Sequence, residues 1–403
     1  MSISTVEAAM AAGQAPWPCW IEVDLDAIAH NVASIRNLAG SACRVMAVVK
    51  AEAYGHGAVA VATAALEAGA SWLAVARVRE GLRLREAGVE APILVLGSIP
   101  ASEIPTAVEL GLRPTLVSVT QVRAFSDAAV AMDTEMSVHV ELDTGISRYG
   151  VSLEEARPVV REVDRLSGMR LEGVYSHFAT ADEPDLAFAL AQLGKFEEAI
   201  SALRAEGIDW PVTHMAASAA ALAVGGSHFD VVRLGISMYG LYPSEHLRER
   251  AELRPALSLH SRAARVFEIR PGQSVGYGRT FVAEKALRAA LVPVGYADGL
   301  PRSHSNRGAV LVNGRRAPII GRISMDQCVV DLSECGDVKE GAPVVLIGSQ
   351  GEDTISCGEY AERSGTISYE VLTSLGHRVP RVYRRSGAVV GVAYLDEGRY
   401  ESL

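Results

Sequence analysis

The feature that most constrains this chain is an alternation. From about residue 40 to 240, short runs rich in β-branched residues are separated by alanine-rich amphipathic stretches. The strand candidates are VMAVVKA (45–51), WLAVA (72–76), ILVLG (93–97), RPTLV (113–117), VHVELD (138–143), LEGVYSH (171–177), VTHMA (212–216) and VVRLGIS (231–237). Between them lie segments such as HGAVAVATAALEAG and EPDLAFALAQLGKFEEAISALRAEG, each stopped by glycine or a polar turn. Strands that are apolar on both faces need cover on both faces, and helical crossovers between them imply parallel order. Eight such units in about 200 residues predict a (β/α)8 barrel of the TIM type. An open doubly wound sheet fits less well, because no glycine-rich dinucleotide turn follows the first strand.

After Arg254-Pro255 the texture changes. ALSLHSRAARVFEI, ALRAALVPVGY, GAVLVNGRRAPIIGRISMDQCVVDL and GAPVVLIG are alternating runs with few helical stretches between them, which predicts a second, mostly β domain. The expected organisation is an N-terminal tail (1–20), a barrel domain (21–250) and a C-terminal β domain (251–403). The opening strand IEVDL (21–25) is expected to pair with the second domain, and residues 1–16 are expected to lack fixed structure.

Hydrophobic residues make up 49% of the chain and charged residues 21%, a globular balance that excludes a disordered or collagen-like chain. Acids exceed bases by 48 to 38, and a net charge of −10 argues against nucleic acid or an anionic membrane as partner. No apolar run reaches the roughly 18 residues of a spanning helix. No lysine or arginine precedes Arg36, so neither a signal nor a transit peptide is expected, and the expected location is cytoplasmic. The five cysteines include no CxxC pair, so neither a metal site nor a disulfide framework is expected.

The chain chooses arginine for almost all its positive charge and keeps only four lysines, Lys50, Lys195, Lys285 and Lys339. Arginine cannot lose its proton to become a nucleophile, so a retained lysine can mark chemistry. Lys195, Lys285 and Lys339 sit among polar residues, whereas Lys50 ends the apolar run VMAVV. Barrel active sites lie at the C-terminal ends of the strands. There the sequence places Lys50, Tyr54 and His56; Glu141, Asp143 and Arg148; His177; Ser218; and Arg233 with Gly235. Singly, His177 reads equally as a core histidine and Arg233 as an ion-pair partner. Grouped on one rim, a lysine able to form an imine, hydroxyls and amides for phosphate, and arginines for carboxylates are what pyridoxal phosphate requires.

These residues sit in motifs that closely resemble the alanine racemases, a family of pyridoxal-phosphate isomerases. The resemblance starts at AVVKAEAYGHG (47–57) and continues through DTGISRYGV, SHFATADE, HMAASAA and RLGISMYGLYP. It then runs through VGYGRTF, PVGYADGLPR, GRISMDQ and TISYEV, covering about residues 20 to 385 in order. It implies a two-base racemisation of alanine that supplies D-alanine for peptidoglycan, in a homodimer with shared active sites. By this resemblance Lys50 carries the cofactor and is the base on one face of the substrate. Tyr277 of the partner subunit is the base on the other. Tyr54, Ser218, Gly235, Ile236 and Tyr369 correspond to the phosphate holders. Arg233 corresponds to the donor to the pyridine nitrogen, with His177 bridging it to the tyrosine. Arg148 corresponds to a substrate-binding residue beside the cofactor phenol oxygen, Met325 of the partner subunit to the one whose backbone amide receives the substrate carboxylate, and Tyr296 to one that narrows the entrance. Without the resemblance, Tyr277 would read as a turn aromatic, Met325 as core and Asp298 as a turn closer.

Four positions depart from the family pattern: Glu52, Ala217, Ser147 and Tyr149. A racemase for serine or a broader set of amino acids therefore stays open as an alternative. A non-catalytic pyridoxal-phosphate carrier fits poorly, because such proteins lack the GYG and MDQ motifs of the second domain. Glu141 stands where, by the resemblance, many relatives carry a carbamylated lysine, so it is expected to supply that anion itself and to hold Arg148, directly or through a water, with Asp143 on the same strand face as the other carboxylate within reach.

Overall fold

The computed structural model describes residues 2–396 and 399–402. It divides into two units, one formed by Ala27–Ala53 and Ala58–Arg254, the other by Met1–Asp26, Tyr54–Gly57 and Pro255–Leu403. After the opening strand β1 (Cys19–Asp24), the first unit contains β2 (Arg44–Val48), β3 (Trp72–Val75), β4 (Ile93–Val95), β5 (Arg113–Leu116) and β6 (Met136–Asp143). It continues with the two-residue β7 (Val151–Ser152) beside β6, then β8 (Met169–Tyr175), β9 (Val212–His214) and β10 (Val231–Leu234). Their order is β10-β2-β3-β4-β5-β6-β8-β9, with every ladder parallel. The ends nearly close: Asp230 N–H donates to Thr213 O and Arg233 N–H to Ala216 O, each at 3.0 Å, and Ala217 bridges Arg233. This is the eight-stranded barrel expected from the alternation, each strand falling within or beside its expected run.

The helical layer follows from apolar spacing. In the helix Leu153–Arg165, Ser152 caps the Glu155 N–H and the buried face is Ala156, Val159, Val160 and Val163. Each of those valines contributes roughly 2 kcal/mol by leaving water. The strands themselves are buried throughout their length in β3, β4 and β10, as sheets covered on both sides must be.

The run expected to extend to residue 51 stops at Val48, and Lys50–Gly55 forms a single helical turn of left-handed sense. Ala51, Glu52, Ala53 and Tyr54 have φ of 52, 53, 52 and 53°, a conformation that costs each L-residue about 1–2 kcal/mol. Specific bonds offset that strain. Ala53 N–H donates to Val49 O at 2.9 Å and Ala51 N–H to Glu80 Oε1 at 2.7 Å. Glu52 accepts from Ala58 N–H at 3.3 Å and pairs with Arg83. Sequence patterning missed the turn because alanine and glutamate signal ordinary right-handed helix.

The second unit is built on one large sheet. Its order is β12 (Arg265–Ile269), β15 (Leu287–Val292), β18 (Cys328–Asp331), β17 (Arg315–Ile320), β16 (Ala309–Val312), β19 (Pro343–Gln350), β11 (Leu257–Arg262), β1, β21 (Arg381–Arg385), β22 (Ala388–Tyr394) and β23 (Arg399–Ser402). β20 (Asp353–Ile355) pairs with β19, and β13 (Ser274–Val275) with β14 (Phe281–Val282) forms a separate hairpin. β1 lies antiparallel to β11 and parallel to β21.

The expectation that residues 1–16 lack fixed structure is not met. Ile3–Ala11 is a helix capped by Ser2, and Ile3, Val6 and Ala15 bury against Trp20, Val382, Val389 and Val392. Trp17 Nε1–H donates to the Tyr394 hydroxyl at 2.9 Å. A helix this short is marginal alone, and its order comes from that packing. No helix among the described residues is long and apolar enough to cross a membrane.

Candidate active site

At the C-terminal ends of the barrel strands, Arg233 is the central group. It is 2% exposed, and its terminal nitrogens make every bond of a tight set. Nη1 lies 2.7 Å from His214 Nδ1; Nη2 donates to Ser176 O and Met215 O and lies against His177 Nδ1, each at 2.9 Å. The guanidinium also sits 5.1 Å over the Tyr175 ring, which stacks on His214 at 4.5 Å. A guanidinium only donates, so both histidine Nδ1 atoms must accept and each ring carries its proton on Nε2. Burial and the Arg233 charge push both histidines well below the usual imidazole range, which keeps them neutral.

Lys50 opens the left-handed turn and is partly buried. Burial depresses its pKa; the charges of Arg148 and Arg233 add to the shift, while Glu80 opposes it. Its amine is thereby moved toward the neutral, nucleophilic form. Ser218 Oγ accepts from Gly235 N–H at 3.1 Å and Ser237 N–H at 3.2 Å, which leaves its own proton to donate. Ala217 precedes it, and its backbone completes the bridge to Arg233. Ile236 opens the short turn that follows Gly235.

Glu141 does not make the direct contact with Arg148 expected of it. Its side chain is buried and accepts from the Tyr175 hydroxyl at 3.1 Å, which in turn meets Thr115 Oγ1 at 3.0 Å. Among the described residues no hydrogen bond joins Glu141 to Arg148, which is exposed and reaches it only through its charge. Asp143 instead shapes the arginine loop, accepting from Gly145 N–H at 2.8 Å and Ser147 N–H at 3.1 Å. Glu52, the other acidic departure, belongs to the turn that presents Lys50.

The second unit carries the remaining candidates. Tyr54 and Tyr369 have ring centroids 6.2 Å apart. Gly276 and Gly278 both have φ of 71°, so the GYG motif is a left-handed turn that holds Tyr277 outward, 71% exposed. A side chain at Gly295 would fall 2.2 Å from Met325 O, and Ala297 N–H donates to that carbonyl at 3.0 Å. Tyr296 and Met325 are thus neighbours, both exposed. A Cβ at Gly276 would stand 3.0 Å from Arg322 O, so three motifs far apart in sequence fold against one another. Asp298 accepts from Gly295 N–H at 3.0 Å and pairs with Arg378 at 2.7 Å, a turn-closing role. His139, Glu172, His214 and Tyr175 were not singled out from sequence. The available signal was the presence of polar residues inside otherwise apolar barrel strands.

A barrel whose strand-end rim carries a depressed lysine and a buried guanidinium that donates only to histidine nitrogens and carbonyl oxygens, in a chain with a second β-rich unit, has the makings of an enzyme that works through a lysine amine. Residues 23–243 match the family model for the alanine racemase N-terminal domain, and residues 256–383 that for the C-terminal domain. An alanine racemase of Nostoc is 45% identical over 366 residues, covering 90% of this chain and 95% of the relative. That of Carboxydothermus hydrogenoformans is 44% identical, covering 91% and 99%. The crystal structure of Bacillus anthracis alanine racemase with bound L-Ala-P superposes with a TM-score of 0.89 at 42% identity, covering 95% of this chain and 100% of that one. The chain belongs to the alanine racemase family.

Proposed function

We infer that the protein interconverts L- and D-alanine, using pyridoxal phosphate held on Lys50, in a homodimer whose two sites are each completed by the other subunit. The observation that carries this reading is a lysine depressed toward neutrality in the field of a buried guanidinium that can only donate. The donor set suits the cofactor. A nucleophilic amine matches its aldehyde, and Arg233 matches its ring nitrogen. The Ser218 hydroxyl with the Gly235–Ile236 turn matches its phosphate.

When bound, the cofactor supplies a conjugated ring that acidifies the Cα–H of an attached amino acid. Lys50 Nζ takes or returns the proton on one face of Cα, and Tyr277 Oη of the partner subunit acts on the other. His177 has its proton on Nε2, so it is able to donate to that tyrosine oxygen. Arg233 would donate to the ring nitrogen without surrendering its proton, which would restrain charge delocalisation and favour racemisation over side reactions. Arg148 and the backbone amide of Met325 of the partner subunit orient the substrate carboxylate, and Tyr296 limits its size. Tyr277, Tyr296, Met325, Val282 and Ile367 are all large and exposed on the second unit, the property expected of a surface that a partner covers.

Borohydride reduction of the holoenzyme followed by peptide mapping should label Lys50, and a label on another lysine would sink the assignment. Racemisation assays with L-alanine, L-serine, L-lysine and L-arginine should give the highest kcat/KM for alanine. A higher value for serine would replace the substrate.

A further inference from the structure

We infer that His214, His139 and Glu172 form a one-way hydrogen-bond relay through the barrel interior that fixes the proton positions around Arg233 and makes these three residues positioning residues for the reaction. The inference rests on Arg233 being the group that faces the cofactor ring.

The sense of the relay follows from donor counting. Arg233 can only donate, so His214 Nδ1 accepts across 2.7 Å. A neutral imidazole carries one N–H, which places the His214 proton on Nε2, aimed at His139 Nδ1 at 2.9 Å. That nitrogen must then accept, and the only proton of His139 moves to its own Nε2. This atom is buried with no hydrogen-bond partner of normal length, and it faces the Glu172 carboxylate at 3.6 Å. Glu172 is anchored by Arg113 at 3.2 Å and Arg170 at 3.3 Å. An ionised carboxylate can only accept. Both ends therefore demand the same polarity, a donor at Arg233 and an acceptor at Glu172.

The strands are shaped for this arrangement. The β6–β8 register shifts between Val138 and His139, a bulge that re-aims the side chain. Gly173 lies opposite, and a Cβ there would stand 2.4 Å from the His139 ring. Trp72 meets the ring edge-on at 5.4 Å. Both histidines have no exposed surface. Apolar side chains of similar volume would fill this core without desolvating polar groups, so packing alone does not account for the set. Its consequence lies at Arg233. If His214 carried its proton on Nδ1, an N–H would meet the Arg233 Nη1 donor, and the guanidinium would be held from Nη2 alone.

Neutron diffraction from deuterated holoenzyme should show deuterium on Nε2 of His214 and His139 and none on either Nδ1. Deuterium on either Nδ1 overturns the relay. This readout does not depend on where the cofactor is attached, so it fails separately from the Lys50 assignment, and it decides the matter even where a variant does not fold. His139→Leu should lower kcat about 10- to 100-fold, the usual scale for groups that orient a ligating residue, with KM within about twofold. His139→Asn keeps an acceptor where Nδ1 stands and should restore most of the loss. Gly173→Ala, which displaces the ring, should reproduce the leucine defect. Parental kcat in His139→Leu, or a loss that asparagine does not repair, removes the functional role.

Discussion

Single residues in the barrel interior show how burial sets chemistry. Burial raises the pKa of Glu141 above the usual carboxylate value, and the charges of Arg233 and Arg148 with the Tyr175 bond only partly oppose it. A carboxyl raised in the folded state gives stability that is fully present below its unfolded value and lost as pH rises through its folded value. Glu141 therefore works against acid unfolding. Glu141→Gln keeps an acceptor for Tyr175, so urea unfolding should show the variant more stable than the parent at neutral pH, with the gain vanishing near pH 4. A difference between variant and parent that is constant with pH would show that the pKa of Glu141 is the same in the folded and unfolded states. Because position 141 holds glutamate rather than lysine, no carbamate can form there, and stripping bicarbonate from the buffer should leave activity unchanged. The cysteines form a second residue-scale case. Burial lifts Cys328 to about 12 and Cys357 to about 11, and all five are buried thiols. A thiol reagent at pH 8 should titrate none in the native protein and five after unfolding. Lys50 was legible in the sequence because its scarcity and its place after an apolar run are local facts. Tyr175, His139 and Glu172 were not, because their meaning lies in partners 30 to 75 residues away.

The left-handed turn that presents Lys50 is the element on which the reading of the site depends most, and it ends in glycines for steric reasons. Gly55 has φ of 79°, and a Cβ there would fall 2.3 Å from Leu372 O. Gly57 has φ of 98°, and its Cβ would fall 1.9 Å from the Tyr383 hydroxyl. The Gly55 carbonyl accepts from Arg381 Nε at 2.9 Å. The same guanidinium reaches Gly376 O and Val379 O, each at 2.6 Å, and Leu375 O at 3.2 Å. Lysine cannot span four carbonyls in that planar fork. Arg381→Lys should lower stability by about 3 kcal/mol, the scale for breaking a fully buried charged network, as read by thermal or urea unfolding. A change under about 0.5 kcal/mol, the ordinary surface range, would mean that the turn does not need this anchor. The motif YGHG was recognisable as a string, yet its left-handed sense was invisible, since no side chain in AEAY requires positive φ.

At the scale of the whole molecule, the proposed sharing of active sites makes a demand that a single chain cannot meet. Subunits carrying Lys50→Ala and subunits carrying Tyr277→Phe should each be nearly inactive alone. Mixed under exchange, they should regain activity, because one hybrid site receives both an intact lysine and an intact tyrosine. A fully active monomer in sedimentation at assay concentration would refute the arrangement. The sequence alone determined the barrel, the second β-rich unit and the family, because continuous apolar runs mark strands covered on both faces, alternation marks those of the second unit, helix amphipathicity repeats every 3.6 residues, and the motifs are contiguous. Tertiary structure alone decided that the first residues form a docked helix, that Lys50 opens a strained turn, that Glu141 faces Tyr175 rather than Arg148, and that two histidines link Arg233 toward Glu172. Each of those outcomes depends on which distant groups share a buried volume: a polar atom removed from water takes the partner within reach, and that reach is set by packing across strands rather than by position along the chain.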